Sequence, residues 1–269
     1  MNPLAVPNAN APASPAAVAA SGRLQPWLPY LAVLQTDIRQ TLASWVYRIW
    51  VVLLVAAGAG YLLYRLGIYR EAGIVQAASV MIGELFLWTM LASIALVVIL
   101  TVGSISSELG TLGDAVLSRG ISRCHYFLAK WHARLIAIIG TFWLLAGLML
   151  IAVHLLLHED LSLSGSLVAL VSMGVLLMAI ISLGLTTGAL TNSTLLGVTG
   201  VWMVVYVGGF LTTLIPQPTL VPSRLLSRLP AIVKGEYDWD ALVQLLAVLL
   251  GGSAMTVAVG VWQFSRRDV

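Results

Sequence analysis

The chain has 269 residues, of which 59% are hydrophobic and only 9% charged, and its formal net charge is +3. A soluble domain is about 25% charged, so this chain lacks the polar side chains to cover a water-exposed surface. A soluble enzyme, a secreted disulfide scaffold and a disordered chain are excluded, which leaves an integral membrane protein. Its single cysteine, Cys124, has no internal partner for a disulfide, and its four histidines are scattered rather than clustered as metal ligands. In such a protein the slight positive charge reflects loop lysines and arginines facing an inner leaflet, not nucleic-acid binding.

The first 22 residues are rich in Ala, Pro and Asn and carry no charged side chain. They lack the basic start and continuous apolar core of a signal peptide, so a flexible tail is expected over 1–22, ahead of a six-span domain over 23–269. In Arg23–Thr41, Trp27, Tyr30, Leu31, Leu34 and Ile38 recur at helical spacing, with Asp37, Arg39 and Gln40 as polar positions. The pattern fits a short helix on the membrane surface. An extension of the first span is the alternative.

A span needs roughly 20 mostly apolar residues to cross about 30 Å of hydrocarbon. Six stretches qualify: Trp45–Leu66, Val80–Gly103, Leu135–Leu157, Gly165–Leu190, Leu195–Ile215 and Ala241–Trp262. Runs such as Leu96-Val97-Val98-Ile99-Leu100 do not alternate in polarity, which excludes barrel strands. The last four spans hold no Asp, Glu, Lys or Arg, and the first holds Arg48 and Arg65 near its ends, where both can snorkel. The second holds Glu84, a candidate for a substrate path that is also shallow enough to snorkel. In the fourth span Gly184 and Gly188 form a small-xxx-small motif, with Thr186, Thr187, Thr191 and Asn192 nearby. Close helix packing is the ordinary reading, and a polar path lining through Thr187 and Asn192 the alternative.

With the N-terminus inside, the inner segments hold nine Lys and Arg and the outer segments five, so both termini are expected in the cytoplasm. Between spans two and three, Ser106 or Ser107 can cap a helix and Glu108 suits its positive end. Leu109, Leu112 and Val116 then share a face, and Gly120 can end the helix. An apolar ridge on a cytoplasmic helix calls for a cover, either the protein's own spans or a soluble partner.

This segment resembles a family. Glu108-Leu109-Gly110-Thr111-Leu112, then Leu117-Ser118-Arg119-Gly120-Ile121-Ser122-Arg123 and Lys130, is similar to the permease subunits of ABC-2 type transporters. The basic ending Phe264-Ser265-Arg266-Arg267-Asp268-Val269 resembles theirs as well. Ser106 and Gly120 depart from the acidic residue and the proline that many relatives have there. The resemblance implies an all-α membrane protein with six spans, an N-terminal interfacial helix and a cytoplasmic coupling helix. It implies that Glu108, Gly110, Thr111 and Leu112 dock a separate ATPase, that a second permease copy, identical or similar, pairs with this one, and that the pair exports a substrate across the inner (plasma) membrane. Leu109 and Val116 join that docking surface through the apolar ridge they share with Leu112, and Arg119 either joins it or, like Arg123, anchors at the inner leaflet. ATP and Mg would sit on that ATPase and no cofactor on this chain, which has no Gly-x-x-x-x-Gly-Lys-[Ser/Thr] loop.

His154 and His158 lie four apart near the outer end of span three, more an interfacial pair than a metal site. Pro216–Asp240, with four prolines, suits short amphipathic pieces dipping into the outer leaflet or a plain loop; in ABC-2 permeases this region forms broken or re-entrant helices. Two other classes compete. An ion-driven secondary transporter would place ionisable groups near the midplane, and these spans are nearly free of them. A non-transporting membrane anchor or assembly factor gives no obvious use for the shaped helix after span two.

Overall fold

The computed structural model describes residues 27–73, 77–106, 121–157, 161–191, 193–214 and 222–266. Every regular element among them is a helix: α1 (Leu28–Ala43), α2 (Trp45–Ala72), α3 (Ala78–Ser106), α4 (Arg123–Arg134), a π turn (Leu135–Ile139), α5 (Gly140–Leu157), α6 (Leu163–Leu190), α7 (Thr194–Leu214), α8 (Pro222–Lys234) and α9 (Trp239–Arg266). Six helical stretches are long and apolar enough to cross a membrane: α2, α3, the run Arg123–Leu155, α6, α7 and α9. The tail 1–22 and the segment 107–120, with all seven expected docking residues, lie outside the described residues, as does Asn192.

α3 and α6 form the centre of the bundle. About half of each apolar stretch is buried (56% and 50%), against 11% for α2 and for α7. The expected close packing at Gly184 and Gly188 is present: a Cβ on Gly184 would lie 1.9 Å from Thr101 Oγ1, and one on Gly188 would lie 2.6 Å from the Val102 carbonyl oxygen. The missing side chains let the two backbones meet. On another side of α6, Thr186 Oγ1 donates to the Thr256 carbonyl of α9 at 2.9 Å. Hydroxyls along α3 return to carbonyls three or four residues back, as Thr101 does to Val97 at 2.8 Å, so these buried polar groups are satisfied within the helix.

One sequence expectation needs correction. Span three does not start at Leu135: the helix starts at Arg123 and continues through the π turn into α5. The basic stretch Arg123–Arg134 is the first part of that helix, with Ser122 accepting from the His125 amide at 3.2 Å as its N-cap. Within Pro216–Asp240, residues 222–234 form the helix α8, in keeping with the short amphipathic pieces expected there and not with a plain loop. Its face Leu225, Leu229, Ile232 and Val233 is buried, and Pro230 packs on Gly83 of α3, where a Cβ would come within 2.5 Å of the proline ring.

One extended residue, Ser44 (ψ 142°), separates α1 from α2. Its hydroxyl donates to the Thr41 carbonyl at 2.8 Å and accepts from the Tyr47 amide at 3.2 Å, closing one helix and opening the next. α1 is therefore an element of its own ahead of the first span. The bundle thus has a Ser106 end, where α1, the start of α4 and the C-terminus of α9 meet, and a Gly83 end, where α8 lies.

Candidate functional site

At the Ser106 end, α1 turns Tyr30, Asp37 and Thr41 toward α4. Asp37 is 2% exposed, yet it is a carboxylate. An isolated buried charge is costly, so its partners matter. Lys130 and Arg134, one helical turn apart on α4, supply them. Lys130 Nζ donates to Asp37 Oδ1 at 3.1 Å, and Arg134 Nε lies 3.4 Å from Asp37 Oδ2. Arg134 Nη1 also donates to Thr41 Oγ1, whose own proton goes to the Asp37 carbonyl at 2.6 Å. Lys130 Nζ further donates to the Ser104 carbonyl at 2.9 Å. It also stands 5.4 Å from the centre of the Tyr126 ring.

These bonds join three elements. Ser104 is two residues before α3 ends, Lys130 lies seven residues into α4, and Asp37 belongs to α1. The two roots of segment 107–120, one on α3 and one on α4, are thus tied by a single lysine. The C-terminal end of α9 is fastened to the same place, with Phe264 6.1 Å from both Tyr126 and Phe127, ring centre to ring centre. Trp131 Nε1 donates to Ser182 Oγ of α6 at 3.1 Å, holding α4 against the central helix.

Tyr30 adds a further link between α1 and α4. Its hydroxyl lies 3.0 Å from His132 Nδ1, and that nitrogen also lies 2.8 Å from the Leu128 carbonyl. A carbonyl only accepts, so Nδ1 carries the proton and shares it between the two oxygens. Burial raises the Tyr30 pKa above the usual tyrosine value, which keeps the phenol neutral at physiological pH.

At the Gly83 end, Glu84 is not a lone snorkelling acid. Its Oε2 accepts from Tyr61 at 2.5 Å and from Arg65 Nη2 at 2.9 Å, so Arg65 of α2 and Glu84 of α3 pair across the two spans. The Glu84 side chain keeps 43% of its surface. Four, seven and fifteen residues further along α3, Trp88, Leu91 and Ile99 are also exposed, and together the four form one stripe. Thr187 does not join them. Its hydroxyl donates back to the Leu183 and Gly184 carbonyls at 2.9 and 3.0 Å, inside its own helix.

Sequence reasoning missed Asp37, Thr41 and Arg134 as parts of a cluster and took Asp37 for a polar surface position. A signal was present: Asp37 falls in the same helical register as Tyr30, Leu34 and Thr41, and Lys130 and Arg134 share a face of their helix.

No family model and no curated protein matches this chain. The functional reading therefore rests on the motif between α3 and α4 and on the geometry around it.

Proposed function

We propose that the chain is the membrane-spanning permease subunit of an ATP-driven exporter of the ABC-2 type. It docks a separate cytoplasmic ATPase through residues 107–120, with contacts centred on Glu108, Leu109, Gly110, Thr111, Leu112, Val116 and Arg119. The observation that carries this reading is the mount of that segment. A docking element that transmits motion needs stiff roots, and here the end of α3, the start of α4 and α1 meet at one buried ionic cluster, Asp37–Lys130–Arg134. A solvated loop has no use for such an anchor. In this reading the Ser106 end faces the cytoplasm of the inner membrane, and both termini lie there.

The two thinly buried spans support the same reading. α2 and α7 leave large apolar side chains exposed, among them Trp45 and Leu63 on α2 and Leu195 and Tyr206 on α7. These faces leave room for a second permease copy as well as for lipid. The stripe Glu84–Trp88–Leu91–Ile99 on α3 is the candidate wall of the substrate path.

Leu112→Asp tests the reading, because it places an unpaired charge in the expected interface core. The variant should insert normally and lose its ATPase on co-purification, with transport lost as well. A variant that keeps both ATPase and transport refutes docking through this segment. A variant that fails to insert shows instead that the segment packs on its own spans.

A further inference from the structure

A cleft of about 220 Å³ opens at the Gly83 end between α8, the turn that follows it and α9. Its floor is aliphatic: Leu225, Ile232, Leu242 and Leu245, none more than 6% exposed. Its rim is ionic, formed by Arg228, Glu236 and Asp238 beside Tyr237. The rim is fixed by the way α8 ends. Gly235 (φ +94°) takes the left-handed turn, Gly235 N donates to Ile232 O at 2.9 Å and Glu236 N to Ala231 O at 2.9 Å. This paired closure sets Glu236 at the mouth. Asp238 Oδ1 accepts the Asp240 amide at 3.0 Å, at the start of α9. Arg228 and Glu236 make no ion pair among the described residues.

We propose that this cleft binds a phospholipid of the surrounding bilayer whose headgroup joins a phosphate to a primary ammonium. The spans α6 and α9 begin at this level, and the Tyr237–Trp239 pair, 4.8 Å apart edge to face, marks the interfacial layer where headgroups lie. Arg228 offers the planar fork that suits a phosphate. Glu236 and Asp238 suit an ammonium that can donate hydrogen bonds. A single tyrosine does not build the aromatic cage a quaternary ammonium favours. An anionic headgroup would leave two carboxylates facing like charge, and a cationic amphiphile would leave Arg228 uncompensated. The cleft is smaller than the roughly 300 Å³ at which pockets for whole small molecules begin. It therefore holds the headgroup and the first methylenes, while the rest of the chain stays in the bilayer.

The test uses the purified full chain in mild detergent and native mass spectrometry with added long-chain phosphatidylethanolamine, phosphatidylglycerol or water-soluble phosphoethanolamine. The wild type should retain phosphatidylethanolamine over phosphatidylglycerol by about fivefold, the scale of one favourable exposed charge contact, and bind soluble phosphoethanolamine far more weakly. Glu236→Lys should reverse the preference toward phosphatidylglycerol, a gain that misfolding cannot produce, and Arg228→Glu should lower retention of both lipids. Equal retention of the two lipids by the wild type overturns the proposal, as does a preference that Glu236→Lys leaves unchanged. Competition by soluble phosphoethanolamine as strong as by the lipid overturns the role of the aliphatic floor.

Discussion

Asp37 and Lys130 are 93 positions apart, and each would be expensive to bury alone. Buried together, with Arg134, they fix α1 on α4. Replacing such a set by apolar residues can be neutral, but removing one member leaves its partners charged and stranded, at a cost of about 3–5 kcal/mol. Asp37→Ala should therefore lower the thermal midpoint of the detergent-solubilised protein sharply and expose α1 to protease. Arg39→Ala, two positions on but at an exposed site, should change neither. Tyr30 adds a pH dependence. Its pKa is raised in the folded state, so its contribution is complete below the unfolded tyrosine value of about 10 and is lost as pH rises through the folded value. Thermal melts of wild type and Tyr30→Phe should differ by a constant amount from pH 6 to 9, and the gap should change only above about pH 10. A gap that varies between pH 6 and 9 would show that another group controls it.

Among the elements, the α3–α6 contact holds the bundle together and is the least tolerant of added volume. At Gly188 an added methyl group would meet the Val102 backbone itself, with the carbonyl oxygen at 2.6 Å and Cα at 3.2 Å. Rotating a side chain cannot relieve that, so Gly188→Ala should destabilise by about 1–3 kcal/mol. Gly147 on α5 has open space where its Cβ would stand. Gly147→Ala should be neutral or stabilise by up to about 1 kcal/mol through helix propensity alone. The comparison, read from denaturation midpoints, separates packing from propensity: equal effects at both sites would mean that α3 and α6 do not meet at Gly188. α4 shows a different use of an element. Its polar face carries the lysine and arginine of the cluster, and the π turn at Leu135–Ile139 follows directly after Arg134. Single π turns inside α-helices are frequent at functional sites.

For the molecule as a whole, orientation is the open variable that function depends on. Cys124 lies two residues into α4, half-buried, at the Ser106 end. The permease reading puts this end in the cytoplasm. A membrane-impermeant maleimide should therefore label Cys124 in inverted vesicles and not from outside intact cells, and labelling from outside would overturn the orientation. ATP turnover should come only with a partner, because the chain has no phosphate-binding loop. Reproducible turnover by the purified subunit alone would count against the reading.

The spans were legible in the sequence because crossing hydrocarbon is a demand on composition: about 20 apolar residues in a row, whatever their neighbours. Among the described residues all six stretches recognised by hydropathy are helical, and the small residues at Gly184 and Gly188 gave their packing role away by spacing. The described part of the amphipathic Arg23–Thr41 pattern lies in a separate helix, α1. What the sequence left open was every feature that needs two distant residues to meet. Glu84 read as a snorkelling acid until Arg65 and Tyr61 of the preceding span stood beside it. Asp37 read as a surface residue because nothing local announces a partner 93 positions away. The helical run from Arg123 was hidden by its charges, which hydropathy counts as loop, although the folded chain pairs two of them, Lys130 and Arg134, with Asp37 of α1. Composition sets what enters the membrane, and only tertiary packing sets which charges are sheltered there, because a charge is tolerated in a low-dielectric site by the partner it finds and not by its position along the chain.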